Sequence, residues 1–178
     1  KTDDFFASAD RIINSAPPVF KKEVFDKHGK WMDGWETRRR RKKGFDYLII
    51  KFGKPGRISK VDIDTAHFSG NQPAQASLQA CYSKKKIPNK KSKWTTILKK
   101  KKIKTNRKHF FNIKNKSVFT HVRLNIYPDG GVARLRVYGS IATERINFGN
   151  NLINLASILI GASIIACNNE HFGKAENI

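Results

Sequence analysis

Residues 61–73 read V-D-I-D-T-A-H-F-S-G-N-Q-P and put two carboxylates, an imidazole and a carboxamide into one short window. Asp62, Asp64, His67 and Asn71 are the groups that acid–base chemistry or a hard cation calls for. Val61, Asp62, Ile63 and Asp64 alternate with the period of a strand, so the aliphatic side chains face one way and the carboxylates the other. Ser69, Gly70, Asn71, Gln72 and Pro73 form a loop that ends the strand and leaves His67 and Asn71 at its rim. The plainer alternative is a half-exposed strand followed by a polar loop. A second set lies at 31–41, W-M-D-G-W-E-T-R-R-R-R. Asp33 and Gly34 signal a turn, Trp31 and Trp35 are anchors or a stacking wall, and Glu36 and Arg38 share a side if the segment is extended. Arg40 and Arg41 read as surface charge.

A third set occupies 120–139, T-H-V-R-L-N-I-Y-P-D-G-G-V-A-R-L-R-V-Y-G. Two alternating runs flank Pro128-Asp129-Gly130-Gly131, which predicts a hairpin. Val122, Leu124, Ile126, Ala133, Leu135 and Val137 then line the core face. Arg123 and Asn125 on one strand and Arg134 and Arg136 on the other occupy the opposite face. That face is either the wet side of an antiparallel sheet or a cationic patch suited to a carboxylate, which guanidinium forks bind bidentately.

These groups need strands to hold them. Residues 47–52 are a short apolar run ended by Gly53-Lys54-Pro55-Gly56, and 58–64 form the next strand. Residues 76–82 alternate again, and 94–98 and 109–113 are weaker candidates. Residues 2–13 carry apolar groups at helical spacing before Pro17 and Pro18 force an extended exit. Several short strands with loop punctuation point to an all-β sandwich. Beyond Arg145, residues 152–159 predict a short helix stopped at Gly161, and 163–167 a strand. The uncharged stretch around them is interrupted by Asn154, Ser157 and Gly161 and is too short for a membrane span.

A chain of 178 residues with twelve Phe and three Trp supports one domain with a real core and excludes a disordered segment. The net charge of +22 is concentrated in lysine runs between Lys84 and Lys108. A phosphate-binding stripe would look like this, but Lys rather than Arg favours solvated loop positions, and nucleic acid is not the expected partner. Only two cysteines occur, without a CxxC pair, which excludes a disulfide scaffold and points to a reducing, cytoplasmic location. No secretory signal is visible, and a chain beginning at Lys1 reads as a fragment. Its last twelve residues echo its first twelve: Phe172 answers Phe6, Ala175 answers Ala9, and Ile178 answers Ile12. The expected organisation is one repeat over 1–146 and the entrance to a second over 147–178.

The motifs at 31–39, 61–71 and 121–139, in that order, resemble the allantoicase family, and the resemblance runs over nearly the whole chain. It implies a jelly-roll β-sandwich of the galactose-binding-domain-like type, duplicated within one polypeptide and assembled as a homo-oligomer. It also implies hydrolysis of allantoate to ureidoglycolate and urea in purine degradation. Asn168-Asn169 and Gly161-Ala162 depart from the family pattern at the second copy. Expelling urea needs a proton donor for the leaving ureido group, a base for water and a cation for the carboxylate. Glu36, Asp64 and His67 are the expected acid–base groups. Arg38, with Arg123 or Arg134, is expected to hold the carboxylate, and Asn71 a ureido group. No cofactor is expected; a divalent metal on Asp62 or Asp64 with His67 fits the set without being demanded. A carbohydrate-binding module without catalysis and a basic nucleic-acid binder are the alternatives.

Overall fold

The computed structural model describes residues 1–89 and 91–142, so the helix and strand expected within 152–167 lie outside the described residues. A short 3-10 helix (Ala9–Ile13) precedes ten strands. These are β1 (Phe25–Asp26), β2 (Gly29–Lys30), β3 (Trp35–Glu36), β4 (Asp46–Asp64), β5 (Gln75–Cys81), β6 (Thr95–Lys102), β7 (Lys108–Asn112), β8 (Val118–Tyr127), β9 (Gly131–Val132) and β10 (Arg134–Ile141). The fold is an all-β jelly-roll sandwich. Among the described residues, no helix is long and apolar enough to cross a membrane.

The sandwich turns on β4. Residues 47–52 and 58–64, expected as separate strands, are one strand of 19 residues. Its first half pairs with β8, from Asp46 opposite Ile126 to Lys51 opposite His121, and pairing resumes at Gly56 opposite Phe119. The extra residues between Lys51 and Gly56 form a wide bulge that bends the chain without ending it. Beyond the bend, β4 runs between β10 and β7. One layer is therefore β4–β8–β5–β6 and the other β10–β4–β7, with β4 in both. At the bend β4 and β10 nearly touch: a Cβ on Gly56 would stand 2.9 Å from the Ser140 carbonyl oxygen, so only glycine allows the approach.

Side chains from both layers fill one core, including Leu48, Leu78 and Leu124 from the first and Val61, Ile63 and Leu135 from the second. Trp35 and Ile12 close it. Each is removed from water almost completely, which contributes about 1.5–3 kcal/mol for an aliphatic side chain. The N-terminal apolar residues divide accordingly. Ala9 and Ile12 are buried, whereas Phe5 and Ile13 are exposed, because only one turn of helix forms before the prolines.

The expected hairpin at 120–139 does not form. β8 pairs with β4 and β5, β10 pairs with β4, and the connection carries the chain from one layer to the other, pairing β9 with β3 on the way. Residues 99–102, expected in a solvated loop, belong to β6, the outermost strand of its layer. Exposed lysines there keep an open sheet edge from pairing with another chain.

Candidate active site

The window 61–73 is more buried than alternation alone suggests. Val61, Asp62, Ile63 and Asp64 are all 0–1% exposed: Val61 and Ile63 face the core, and on the carboxylate side residues 15–17 are tied to Arg134 and Arg136, the cross-strand neighbours of Asp64 and Asp62. The loop after β4 is pinned at several points. Asp64 Oδ1 accepts the Ala66 N–H at 2.8 Å, and Thr65 Oγ1 donates to the Lys104 carbonyl at 2.7 Å. Phe68 is fully buried among Ala7, Met32 and Ala133. Its ring fills the space beside Gly34 and Gly131, where any Cβ would collide with it. The Asn71 carbonyl then accepts the Gly131 N–H at 2.7 Å, tying the loop to the β8–β9 connection.

That tie brings Asn71 to Glu36. Glu36 is the last residue of β3, bonded through its backbone to Ala7 on one side and registered with Gly131 of β9 on the other. Its Oε1 accepts the Asn71 Nδ2–H at 2.8 Å. Burial pushes the Glu36 carboxyl above its ordinary range, and the Asn71 hydrogen bond only partly offsets that. The pair faces a recess of about 450 Å³ whose wall includes Thr37, Arg39, Arg40 and Asp129. Arg40 is committed: its backbone N–H goes to Asp129 Oδ2 at 2.7 Å and its Nη1 to Asp46 Oδ1 at 2.8 Å. Arg39 is exposed at the mouth, and its guanidinium makes no hydrogen bond among the described residues.

Asn71 also borders a second recess, of about 370 Å³, with His67, Phe20, Lys30, Ser69 and Asn106. His67 Nε2 lies 3.2 Å from the Pro18 carbonyl oxygen and its ring lies against Phe20, 5.6 Å between centroids. Glu36, Asn71 and His67, separated by up to 35 positions in sequence, thus gather around one loop.

The other expected groups stand elsewhere. Arg38 follows β3 rather than extending it, and its guanidinium pairs with Asp3 Oδ1 at 3.0 Å, over the Phe5 ring. Arg123 lies on the outer face of β8, between Trp94 and Tyr47, with Nε 2.9 Å from Gln79 Oε1. Arg134 is fully buried and spends every N–H inside the chain. Nε bonds the Ala16 carbonyl, Nη1 the Asp33 and Ala133 carbonyls, and Nη2 the Pro17 carbonyl and Asp33 Oδ2. No donor is left for a substrate carboxylate, and the cationic patch expected from a β8–β10 hairpin is not assembled. Asp64 is fully buried, and its Oδ2 has no hydrogen-bond partner among the described residues. Asp62 is pushed above its ordinary range by burial and by the neighbouring Asp64 charge. Among the described residues, no three His, Cys, Asp or Glu side chains gather as a metal-holding set.

The allantoicase repeat family model matches residues 1–142. The chain belongs to the allantoicase repeat family. It is 48% identical to a probable allantoicase of Pseudomonas fluorescens strain Pf0-1, over 99% of this chain and 54% of that protein. Against a probable allantoicase of Photobacterium profundum the identity is 46%, with the same coverage of each. The solved allantoicase structure from Saccharomyces cerevisiae is 34% identical, with a TM-score of 0.73 over 99% of this chain and 53% of that one. The chain spans about half the length of the curated relatives it matches.

Within this allantoicase repeat, the recess residues that sequence spacing missed are Arg39, Asp129, Lys30 and Asn106. Arg39 sits in a run of four arginines, and only the end of β3 after Glu36 separates its surroundings from those of Arg38. Asn106 lies far along the chain, with no local pattern pointing to it; the loop bond from His67 N–H to its Oδ1 brings it in.

Proposed function

We propose that this chain carries a substrate site for allantoate and hydrolyses it to ureidoglycolate and urea, with the chemistry at Glu36. Supporting this reading is a buried carboxyl of raised proton affinity, held by a carboxamide in a recess shared with Arg39, whose guanidinium has no partner among the described residues, in a chain of the allantoicase repeat family. Arg39 holds the substrate carboxylate, the part expected of Arg38, Arg123 or Arg134. Asn71 uses one N–H on Glu36 and has its Oδ1 to accept a ureido N–H. Protonated Glu36 gives its proton to the nitrogen of the leaving ureido group. The C–N bond breaks toward that nitrogen, urea departs, and the lone pair of the retained ureido nitrogen closes a C=N bond. Water adds to this carbon, the C=N electron pair returns to nitrogen, and the water proton goes to the Glu36 carboxylate, restoring the acid. No step is routed through a metal. The division into a repeat over 1–146 and the start of a second over 147–178 is part of the same proposal, supported by the family match ending at residue 142. So are assembly as a homo-oligomer and a cytoplasmic location.

The test is urea release from allantoate by the 178-residue chain. Glu36→Gln is expected to lower kcat by roughly 100-fold or more, the usual contribution of a general acid–base group. Equal rates in both, or no urea from the unaltered chain, would overturn the assignment.

A further inference from the structure

The recess around His67 has features that acid–base chemistry at Glu36 leaves unexplained. Among the described residues, His67 (φ 67°) and Asn106 (φ 47°) are the non-glycine residues with left-handed backbone, and both line this recess. They hold one another, the His67 N–H donating to Asn106 Oδ1 at 2.9 Å. Histidine in that conformation is strained, and strain of this kind persists where surrounding contacts enforce it.

The backbone beside His67 is fixed by the Phe68 N–H on the Thr65 carbonyl at 3.0 Å and by Thr105 Oγ1 donating to the Phe68 carbonyl at 2.8 Å, and the imidazole is met by residues 15–20. Arg134 donates to the Ala16 carbonyl at 3.0 Å and the Pro17 carbonyl at 3.4 Å, and Arg136 Nη2 lies 3.3 Å from the Ser15 and Ala16 carbonyls. Asp33 Oδ2 accepts both the Val19 N–H at 2.9 Å and the Arg134 Nη2–H at 2.7 Å. These tethers on the strap, from Arg134, Arg136 and Asp33, lead to buried or half-buried side chains of the sandwich. Its Pro18 carbonyl meets His67 Nε2, and its Phe20 ring lies against the imidazole. A carbonyl oxygen can only accept, so Nε2 donates to it, and in a neutral imidazole Nδ1 then presents a lone pair.

The same recess is lined by Asn106, whose Nδ2 makes no hydrogen bond among the described residues, by Asn71, and by Phe20 with the Lys30 ammonium 4.4 Å from its ring centroid. A planar, uncharged group with N–H donors and one carbonyl acceptor is complementary to this set, and a ureido group is one. We propose that the recess is the subsite for the ureido arm that is not expelled, with Asn71 dividing the two arms and the strap positioning His67. The assignment rests on the allantoate reading above.

The experiment compares allantoate with ureidoacetate, which has the same carboxylate and only one ureido arm. Binding is measured by calorimetry in the Glu36→Gln chain, where turnover is suppressed. Allantoate is expected to bind about tenfold tighter, the value of one good polar contact pair. Adding Asn106→Asp keeps the acceptor for the His67 N–H, tolerates the left-handed backbone and removes the amide donors; the charge it introduces acts on both ligands, which carry the same carboxylate. The two ligands should then bind within about twofold of each other. A persisting preference for allantoate would overturn the subsite alone, whereas binding of neither ligand would overturn the allantoate reading itself. The strap is read separately, by ¹⁵N NMR of His67 in the otherwise unaltered chain. The Nε2–H tautomer should dominate there and give way to a mixture in Asp33→Asn. Restoration of the carboxylate by Asp33→Glu should recover it in part. A His67 signal unchanged by Asp33→Asn would remove the strap from the proposal.

Discussion

Arg134 and Arg123 sit at equivalent places in two alternating runs, on strands that both pair with β4, and they have opposite fates. Arg134 faces the end of β4 that residues 15–19 cover, and there it is sealed from water and bonded to Asp33 and to carbonyls of three other residues. Arg123 faces the open side of the other layer, half-buried between two aromatic rings and bonded to Gln79. The covered side also holds Asp33, Asp62 and Asp64, whereas the open side meets the lysine-bearing edge strand β6. The difference lies in what lies on top: a covering segment turns a surface charge into a structural one, since a desolvated guanidinium has to satisfy all its donors internally.

The contrast is sharpest in stability. Arg134→Ala leaves Asp33 without its partner and the strap without its anchor, so a loss of about 3–5 kcal/mol is expected in urea denaturation. A loss below about 1 kcal/mol would show that the covered side is no more demanding than the open one. Next comes pH dependence. The folded Glu36 carboxyl lies above its unfolded value of roughly 4.3, so the native state binds the extra proton and stability falls as pH rises through that interval. Glu36→Gln should flatten this slope and gain on the unaltered chain toward neutral pH. Asp33 behaves oppositely. Burial would raise its carboxyl, but the hydrogen bonds from Arg134 and the Val19 N–H outweigh that and hold it below the usual range. Its contribution is present above roughly pH 3.9 and is lost as pH falls through the lower folded value. Stability curves of Asp33→Asn and Glu36→Gln against pH should therefore depart from that of the unaltered chain in opposite directions.

On the open side, Arg123→Ala removes two ring contacts and the Gln79 hydrogen bonds, with about 1 kcal/mol expected by the same denaturation measurement. The smallest effect belongs to β6. Lys101→Gln changes an exposed edge position, and a shift within about 0.5 kcal/mol is expected.

The alternating runs were legible because burial imposes a period of two. Val61 and Ile63 on β4, Leu78 and Ala80 on β5, and Val122, Leu124 and Ile126 on β8 are all in the core. What misled were the punctuation signals. Gly53-Lys54-Pro55-Gly56 reads as a stop yet is a bulge within β4, and Pro128-Asp129-Gly130-Gly131 reads as a hairpin yet carries the chain between layers. Turn residues report that the backbone must bend; they do not report which strand it meets next. The candidate site divides in the same way. Glu36, His67 and Asn71 stood out as chemistry-bearing types near strand ends, and all three line recesses. Arg39 and Asn106 carried no such signal.

The residues alone determined the strand faces, the all-β class and, through three ordered motifs, the family, because each of these depends on local period or on residue type in sequence. Tertiary structure alone decided that β4 belongs to both layers, that residues 15–17 are bonded to Arg134 and Arg136, the cross-strand neighbours of Asp64 and Asp62, and that Asn71 falls between Glu36 and His67. Those outcomes depend on long-range pairing and on which polar groups lose their water. A carboxylate in a strand looks the same in sequence whether solvent or another segment covers it, and its chemistry follows from the covering.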